Sequence, residues 1–261
     1  MNLATLLDQT HTIAHQAGDA IMAIYSRDFT IEEKEDKSPL TEADKAANAI
    51  IEAALHALPQ GIPVLSEENT EGFAGADTDG RYWLVDPLDG TKEFIKRNGE
   101  FTVNIALIEN GRPVLGVVVA PALGVSYLAA QGVGAFKVEW GKEKSGERQP
   151  IRVSGPPAEG VAWRVVGSRS HPSPDLTEWL EQLDEHDMVP MGSSLKLCLV
   201  AEGAADVYPR LGPTCIWDTG AAQAVVEQAG GRVETLAGQP LSYATPGQNL
   251  NPNFIVWGHS A

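Results

Sequence analysis

The chain has 261 residues, and its 35 acidic and 19 basic side chains give it a formal charge of −16. A protein this acidic lacks the surplus of Lys and Arg on which non-specific binding to nucleic-acid phosphates depends, so a nucleic-acid polymer is not expected as a partner. A small anionic ligand is compatible with this charge if metal ions or a local group of donors reverse the sign at its site.

The N-terminal segment is predicted to be helical. Apolar residues at helical spacing predict an amphipathic helix over 3–25, and a short strand is expected over 29–35. His11 and His15 lie one turn apart on the helix. Because no third metal ligand is close in the sequence, we interpret both as packing or surface residues.

Asp44 allows two interpretations. Thr41 followed three positions later by Asp44 is the pattern of a capping box at the start of a helix predicted over 42–58. In the alternative, Asp44 faces a site formed by other carboxylates, where it accepts a proton from water.

The motif with the clearest chemistry is Asp86-Pro87-Leu88-Asp89-Gly90-Thr91, which follows an apolar strand predicted over 81–85. Its two carboxylates offer the oxygen ligands that Mg²⁺ prefers, Gly90 lets a phosphate approach the backbone, and Thr91 can start a helix. A plain turn explains the same residue types without any ligand.

Glu67 follows a second short strand, predicted over 62–65. Alone it is expected to be a solvated surface carboxylate. Two strands that both end in carboxylates make convergence on shared cations plausible.

The remaining elements predict a mixed fold. A short helix over 91–97 is followed by antiparallel strands over 101–108, 114–120, 125–129 and 135–138. Beyond the polar segment 140–157, strands over 161–167, 186–189, 207–208 and 254–257 alternate with helices over 175–183, 193–202 and 219–228, which indicates a layered α/β arrangement. We therefore expect a single domain over 1–261 with two closely packed halves, about 1–150 (α+β, antiparallel sheet) and 158–261 (α/β).

Trp217-Asp218-Thr219-Gly220-Ala221 precedes the last predicted helix, where Asp218 or Thr219 alone would be interpreted as a helix cap. Together with Glu67-Glu68 and the motif 86–91, however, it resembles the inositol monophosphatase superfamily of lithium-sensitive, Mg²⁺-dependent phosphatases in order and approximate spacing. The resemblance spans nearly the whole chain. It implies an α/β (α+β) fold, a layered αβαβα sandwich of the inositol monophosphatase/sugar phosphatase type.

Five further segments resemble the 3′(2′),5′-bisphosphate nucleotidase branch of this superfamily: 37–44, Lys92-Glu93-Phe94, 168–171, 192–198 and 205–210. This resemblance implies hydrolysis of adenosine 3′,5′-bisphosphate, and of its sulfo form, to AMP or adenosine 5′-phosphosulfate and phosphate, in support of sulfur assimilation. The alternatives are an inositol monophosphatase and, from another class, a catalytically silent metal- or nucleotide-binding module.

The resemblance also implies a set of site residues. Asp44 and Thr91 would be catalytic, orienting and deprotonating a water that attacks phosphorus in line. Two or three Mg²⁺ ions, for which Mn²⁺ can substitute and with which Li⁺ would interfere, would be bound by Glu67, Asp86, the Leu88 carbonyl, Asp89 and Asp218. The substrate would be bound by Glu67, Leu88, Asp89, Gly90, Thr91, Asp218, Ser193, Ser194, Lys196, Arg210, Ser168 and His171.

Several of the substrate residues have simpler interpretations. Ser193 also fits a helix cap, Lys196 and Arg210 fit surface charges, and His171 fits a loop position before Pro172.

Cys198 and Cys215 lack the spacing of a zinc site or a disulfide framework, which favours a reducing, cytoplasmic setting. The N-terminus does not resemble a signal peptide, and no apolar run is long enough to cross a bilayer. Peripheral attachment to the cytoplasmic face of the inner membrane is the alternative location. A monomer and a homodimer are both compatible with the sequence.

Overall fold

The computed structural model describes residues 1–33, 39–141, 144–167, 174–183 and 185–259. Its helices are α1 (Leu3–Tyr25), α2 (Glu42–His56), α3 (Thr91–Ile95), α4 (Pro174–Leu180), α5 (Leu195–Ala201) and α6 (Gly220–Gln228). Its strands are β1 (Ile31–Glu33), β2 (Pro39–Thr41), β3 (Val64–Ser66), β4 (Arg81–Asp89), β5 (Thr102–Glu109), β6 (Arg112–Ala120), β7 (Val125–Ala130), β8 (Gly134–Gly141), β9 (Lys144–Pro150), β10 (Trp163–Gly167), β11 (His186–Pro190), β12 (Val207–Arg210), β13 (Arg232–Thr235) and β14 (Phe254–Trp257).

Strands β3 to β9 form a seven-stranded sheet in sequence order. The first pair, β3 and β4, is parallel, and each later pair is antiparallel. Side chains of a strand alternate between the two faces, and the core divides accordingly. Trp83 and Val85 of β4 pack in the cluster that contains α1 and α2, whereas Leu84 packs in the cluster that contains α5 and α6. The large sheet therefore has helices on both faces.

A glycine sets the distance between the large sheet and α6. A Cβ atom added to Gly116 of β6 would lie 2.1 Å from the carbonyl oxygen of Ala221 in α6. Because no other residue fits at this contact, α6 approaches the sheet closely, and Asp218 lies two residues before the start of this helix.

The five-stranded sheet has the order β11-β10-β12-β14-β13. Strand β10 pairs in parallel with β11 and β12, while β14 runs antiparallel to β12 and β13. Helices α5 and α6 share a core cluster with one face of this sheet, and Trp179 and Leu180 of α4 pack on Val165 and Val207 of the other face. The layers are thus helix, large sheet, helix, small sheet, helix, which confirms the predicted αβαβα fold.

The sequence patterns missed three strands: β2, which pairs with β1 in a two-stranded sheet, and β9 and β13, which lie at the edges of the larger sheets. Strand β9 falls in the polar segment 140–157, and its residues from Gly146 to Pro150 are exposed because only one neighbouring strand covers them. Strand β13 forms an outer edge of the small sheet, and β14 lies between β12 and β13. Of the strand predicted over 29–35, Ile31–Glu33 forms a strand, 29 and 30 do not, and 34 and 35 lie outside the described residues.

The division into two halves stays a prediction. None of the helices in the described part of the chain combines the length and the apolar character that crossing a membrane requires.

Candidate active site

The two aspartates of the motif 86–91 lie at the end of β4, where its pairing with β5 shifts register. Asp86 is opposite Asn104 and Asp89 is opposite Thr102, with the irregularity between these pairs. A bulge of this kind re-aims side chains and is common beside functional sites. Pro87 contributes no N–H to the ladder, and the N–H of Leu88 instead donates to Asp86 Oδ1 at 3.0 Å. The backbone thus delivers both carboxylates to one place.

Asp218 completes a cluster of three carboxylates. One oxygen from each of Asp86, Asp89 and Asp218 can be chosen so that all three lie within 4.8 Å of one another. The N–H of Cys215 donates to Asp218 Oδ2 at 3.1 Å and orients that carboxylate. Glu67 follows β3, which runs parallel to β4, and its own N–H donates to the Val85 carbonyl at 3.1 Å. The predicted metal ligands are therefore brought together from three segments of the chain.

The electrostatics of this cluster favour a bound cation. Burial, followed by the charges of Glu67, Asp89 and Asp218, raises the pKa of Asp86 well above its ordinary value. The pKa of Asp218 is also raised well above its ordinary value, by burial first and then by Asp89 and Glu67. Carboxylates this close repel one another, and a divalent cation would compensate their charge. Oxygen donors of this kind fit Mg²⁺.

Asp44 has the structural role expected from its sequence, and it also reaches the motif 86–91. Its Oδ2 accepts from the backbone N–H of Thr41 at 2.8 Å and from the Thr41 hydroxyl at 2.7 Å, which confirms the predicted capping box of α2. Its other oxygen, Oδ1, accepts from the Thr91 hydroxyl at 3.2 Å. The Thr91 Oγ1 atom is also 3.3 Å from the Leu88 carbonyl oxygen. The cap and the Thr91 contact use different oxygens, so they are compatible.

A cavity of about 490 Å³ opens beside the carboxylates. Its wall includes the carboxylates Asp89 and Asp218 and the basic residues Lys92, Lys96, Lys196 and Arg210. Burial, together with the nearby Arg210, lowers the pKa of Lys196 in spite of the opposing carboxylates of Asp89, Glu93 and Asp218. The cavity can therefore take an anion that has one group at the carboxylate cluster and a second negative group elsewhere.

Gly90 lies in the wall of this cavity with a φ of 90°, a left-handed conformation that favours glycine. A Cβ atom here would be 3.1 Å from the Glu100 carbonyl oxygen, so a side chain would also require that neighbour to move by a few tenths of an ångström.

Arg210 is held at the cavity by two contacts. Its Nε donates to Thr214 Oγ1, and its Nη2 donates to the Pro213 carbonyl.

Ser193 and Ser194 precede α5 and contact Asp89. The Ser193 hydroxyl donates to Asp89 Oδ2 at 2.8 Å, and the Ser194 N–H and hydroxyl each lie 2.6 Å from the same oxygen. Ser193 has a φ of 53° and does not cap α5, whose N-cap position is Ser194 without a side-chain cap bond. The helix-cap interpretation of Ser193 is therefore wrong.

Sequence reasoning missed two residues that lie behind these serines. Thr102 Oγ1 is 2.7 Å from Ser193 Oγ, and Asn104 Nδ2 donates to Ser194 Oγ at 2.7 Å. The available signal was the presence of two polar residues at alternate positions of the otherwise apolar strand β5. Ser168 and His171, which were predicted to contact the substrate, lie outside the described residues.

His11 and His15 lie away from the carboxylate cluster and pack as expected. Their Nε2 atoms are 2.9 Å and 3.2 Å from the Ser126 hydroxyl of β7. The two rings contact each other edge to face, and His15 also contacts Trp140.

Comparison with known proteins identifies relatives along nearly the whole chain. The model of the inositol monophosphatase family matches residues 2–254. The 3′(2′),5′-bisphosphate nucleotidase CysQ of Escherichia coli (strain K12) is 51% identical over 255 residues, which cover 96% of this chain and 99% of that protein. The CysQ of Haemophilus influenzae is 35% identical over 255 residues, covering 97% and 93%.

Solved structures of inositol monophosphatase family members also match nearly the whole chain. The crystal structure of CysQ from Bacteroides thetaiotaomicron, a bacterial member of the inositol monophosphatase family, superposes with a TM-score of 0.82 at 38% identity and covers 98% of both chains. The inositol monophosphatase from Anabaena superposes with a TM-score of 0.77 at 28% identity, covering 100% of this chain and 93% of that one.

Proposed function

Because the chain belongs to the inositol monophosphatase family, we propose that it is a metal-dependent phosphatase whose substrate is a 3′(2′),5′-bisphosphate nucleotide. It releases the 3′-phosphate of adenosine 3′,5′-bisphosphate to give AMP, and it converts the sulfo form to adenosine 5′-phosphosulfate. The observation that carries this proposal is that one cavity is lined both by two carboxylates of the cluster, Asp89 and Asp218, and by the basic residues Lys196 and Arg210. A bisphosphate needs both: a metal site for the phosphate that is cleaved and a basic site for the one that stays. The 51% identity to a nucleotidase supports the same choice.

The resident cations are Mg²⁺, two or three in number, with Mn²⁺ as a substitute and Li⁺ as an inhibitor. Glu67, Asp86, Asp89, Asp218 and the Leu88 carbonyl hold them. The convergence of three of these carboxylates within 4.8 Å supports the assignment. When bound, Mg²⁺ neutralises the charge of the phosphate, lowers the pKa of water and stabilises the leaving oxygen.

Thr91 and Asp44 move the proton of the attacking water. Thr91 Oγ1 accepts a proton from the water while it donates its own to Asp44 Oδ1, and the 3.2 Å contact between these atoms supports the transfer. Asp44 is 2% exposed, so the transfer takes place out of bulk solvent. The backbone N–H groups of Gly90 and Thr91 orient the phosphate oxygens.

Lys196 and Arg210 bind the phosphate that is not cleaved, and Ser193 contacts the sugar. A charged donor is suited to a phosphate because charge-assisted hydrogen bonds are shorter and stronger than neutral ones. The pairing of Arg210 with Thr214 and Pro213 holds the guanidinium in place before substrate arrives. Ser168 and His171 remain in the predicted substrate set. Ser194 was predicted with them, but it is 2% exposed and its hydroxyl contacts Asp89, so we do not place it among the substrate contacts.

Inositol monophosphatase activity is the second candidate, since the fold is shared with the Anabaena enzyme at a TM-score of 0.77. Phosphate release from adenosine 3′,5′-bisphosphate and from inositol 1-phosphate at equal Mg²⁺ separates the two. We expect the nucleotide to be hydrolysed faster. Faster turnover of inositol 1-phosphate would overturn the nucleotidase assignment, and absence of turnover with both would favour a silent binding module.

We infer a cytoplasmic location from the cysteine content of the sequence, because Cys198 and Cys215 lack the spacing of a disulfide framework. Fractionation of the source cells tests this location against peripheral attachment to the inner membrane. Sedimentation of the purified protein decides between a monomer and a homodimer.

A further inference from the structure

Asn104 and Ser194 form a buried chain of hydrogen bonds behind the carboxylate cluster. Asn104 is 1% exposed and Ser194 is 2% exposed. Asn104 lies on β5 directly opposite Asp86, and its Nδ2 donates to Ser194 Oγ at 2.7 Å. The Ser194 Oγ atom in turn lies 2.6 Å from Asp89 Oδ2 and 2.7 Å from the Asp218 carbonyl oxygen. One hydroxyl thus links β5, the start of α5 and two proposed ligand segments.

The direction of these hydrogen bonds follows from the atoms available. A serine hydroxyl has one proton to donate and lone pairs to accept with. Because the Asn104 amide N–H occupies an acceptor site of Ser194, the hydroxyl proton is directed away from β5, toward Asp89 Oδ2 or the Asp218 carbonyl. Without the amide donor the hydroxyl could rotate toward β5, and Asp89 would lose a donor.

The contacts leave one oxygen of Asp89 for a cation. The Ser193 hydroxyl, the Ser194 hydroxyl and the Ser194 N–H all approach Oδ2, at 2.6 to 2.8 Å. None of these three contacts uses Oδ1. A carboxylate fixed through one oxygen presents the other in a constant direction, which is the usual way that hydrogen-bond partners of metal ligands tune a site.

Asn104 is a poor choice for stability alone. Its Oδ1 is buried and has no hydrogen-bond partner among the described residues. A buried, unpartnered carbonyl costs free energy, and an apolar side chain of similar shape would avoid this cost. The presence of an amide at this place is therefore better explained by the one bond it does make, to Ser194.

We propose that Asn104 is a positioning residue, which acts through the Ser194 hydroxyl to hold Asp89 and the Asp218 segment in the arrangement that binds metal. This inference rests on the proposed function, because it assumes that these aspartates are metal ligands. It also gives Ser194 a different role from the substrate contact predicted from sequence.

The test compares Asn104→Leu, Ser194→Ala and the double variant with the unchanged protein. Mn²⁺ binding to metal-free protein is followed by electron paramagnetic resonance, and kcat and KM are measured at saturating Mg²⁺. We expect each single variant to bind Mn²⁺ at least ~10-fold more weakly, as is typical when a partner of a metal ligand is removed. The double variant should be no weaker than Ser194→Ala, because residues that act in series are not additive. The KM for the nucleotide should not change.

Thermal unfolding of the metal-free proteins separates positioning from simple stabilisation. We expect Asn104→Leu to unfold at the same temperature as the unchanged protein or higher, since the unpartnered carbonyl is gone. Thr10→Val is a matched control: Thr10 is fully buried and donates to the Leu6 carbonyl in α1, away from the cluster. It should keep its Mn²⁺ affinity.

Several results would overturn the inference. Unchanged Mn²⁺ affinity in either single variant would do so, as would losses that multiply in the double variant. A raised KM with unchanged Mn²⁺ affinity would return Ser194 to the substrate contacts. If Asn104→Leu does not fold, the Mn²⁺ affinity of Ser194→Ala still tests the inference, because this variant removes only one oxygen atom and is expected to fold. Failure of the unchanged protein to bind Mn²⁺ or to hydrolyse the nucleotide would instead count against the proposed function.

Discussion

Asp44 and Thr91 are 47 positions apart in the chain, and Asp44 Oδ1 lies 3.2 Å from Thr91 Oγ1. The same carboxylate caps the first turn of α2 through its other oxygen. The helix therefore fixes the direction in which Oδ1 points, and the structural role of Asp44 supports its proposed chemical role.

Asp44→Asn should separate these two roles. The amide oxygen can still accept one hydrogen bond, so the free energy of unfolding should fall by less than about 2 kcal/mol, the upper end for losing a helix cap. Loss of the base should lower kcat by roughly 10²- to 10⁴-fold. Phosphate release and urea denaturation measure the two effects.

The control for this variant is Glu42→Gln. Glu42 also lies in the first turn of α2, and it forms a surface ion pair with Arg27. Exposed pairs of this kind contribute little to stability, so both kcat and stability should stay close to the original values. Equal kcat losses in Asp44→Asn and Glu42→Gln would argue against a role for Asp44 in proton transfer.

Lys196→Gln tests how the second phosphate is recognised. The variant should lose about 10- to 100-fold in kcat/KM for adenosine 3′,5′-bisphosphate, which corresponds to about 1.5–3 kcal/mol for a hydrogen bond to a charged group. Adenosine 3′-monophosphate lacks the second phosphate, so its kcat/KM should change much less. Lys45→Gln, at an exposed ion pair with Glu32, serves as the control. The prediction is wrong if both substrates lose activity to the same extent.

His11 predicts a dependence of stability on pH. Burial, then the positive charges of His15 and Arg148, lower the pKa of His11 to about 4, against a weaker opposing effect of Asp8. The ordinary pKa of a histidine is 6.5, so at pH values between 6.5 and about 4 His11 binds a proton in the unfolded chain but not in the folded protein. Folding stability should therefore fall as the pH drops from 6.5 toward about 4, and it should be unaffected by this group above that range.

His11→Gln should reduce this loss. Urea denaturation at a series of pH values should show that the free energy of unfolding falls less in the variant than in the unchanged protein as the pH is lowered. The exposed His56, at the end of α2, provides the control variant His56→Gln, for which no such difference is expected. Parallel pH profiles for His11→Gln and the unchanged protein would refute the prediction.

The fold and the convergence of the carboxylates in the candidate site could be predicted because their signals are local or come as motifs. The apolar period of α1, the capping box at Thr41 and the strand that ends in Asp86 are each visible in a short stretch of sequence. Strand β9 was missed because an exposed edge strand is polar and resembles a loop.

The contacts of Asn104 could not be predicted in the same way. They depend on the register shift between β4 and β5 and on the approach of α5, both of which are set by tertiary packing. The polar residues of β5 were visible in the sequence, but nothing local indicates which serine Asn104 would meet. The predicted roles of Ser168 and His171 stay predictions.

The most direct test of the central claim is phosphate release from adenosine 3′,5′-bisphosphate in Mg²⁺ by Asp89→Asn and by the unchanged protein. A neutral amide is a poorer Mg²⁺ ligand than a carboxylate, so the variant should lose most of its turnover. Its circular dichroism spectrum should remain that of the folded protein. Undiminished turnover in a folded Asp89→Asn variant would contradict the proposed metal site and the function that depends on it.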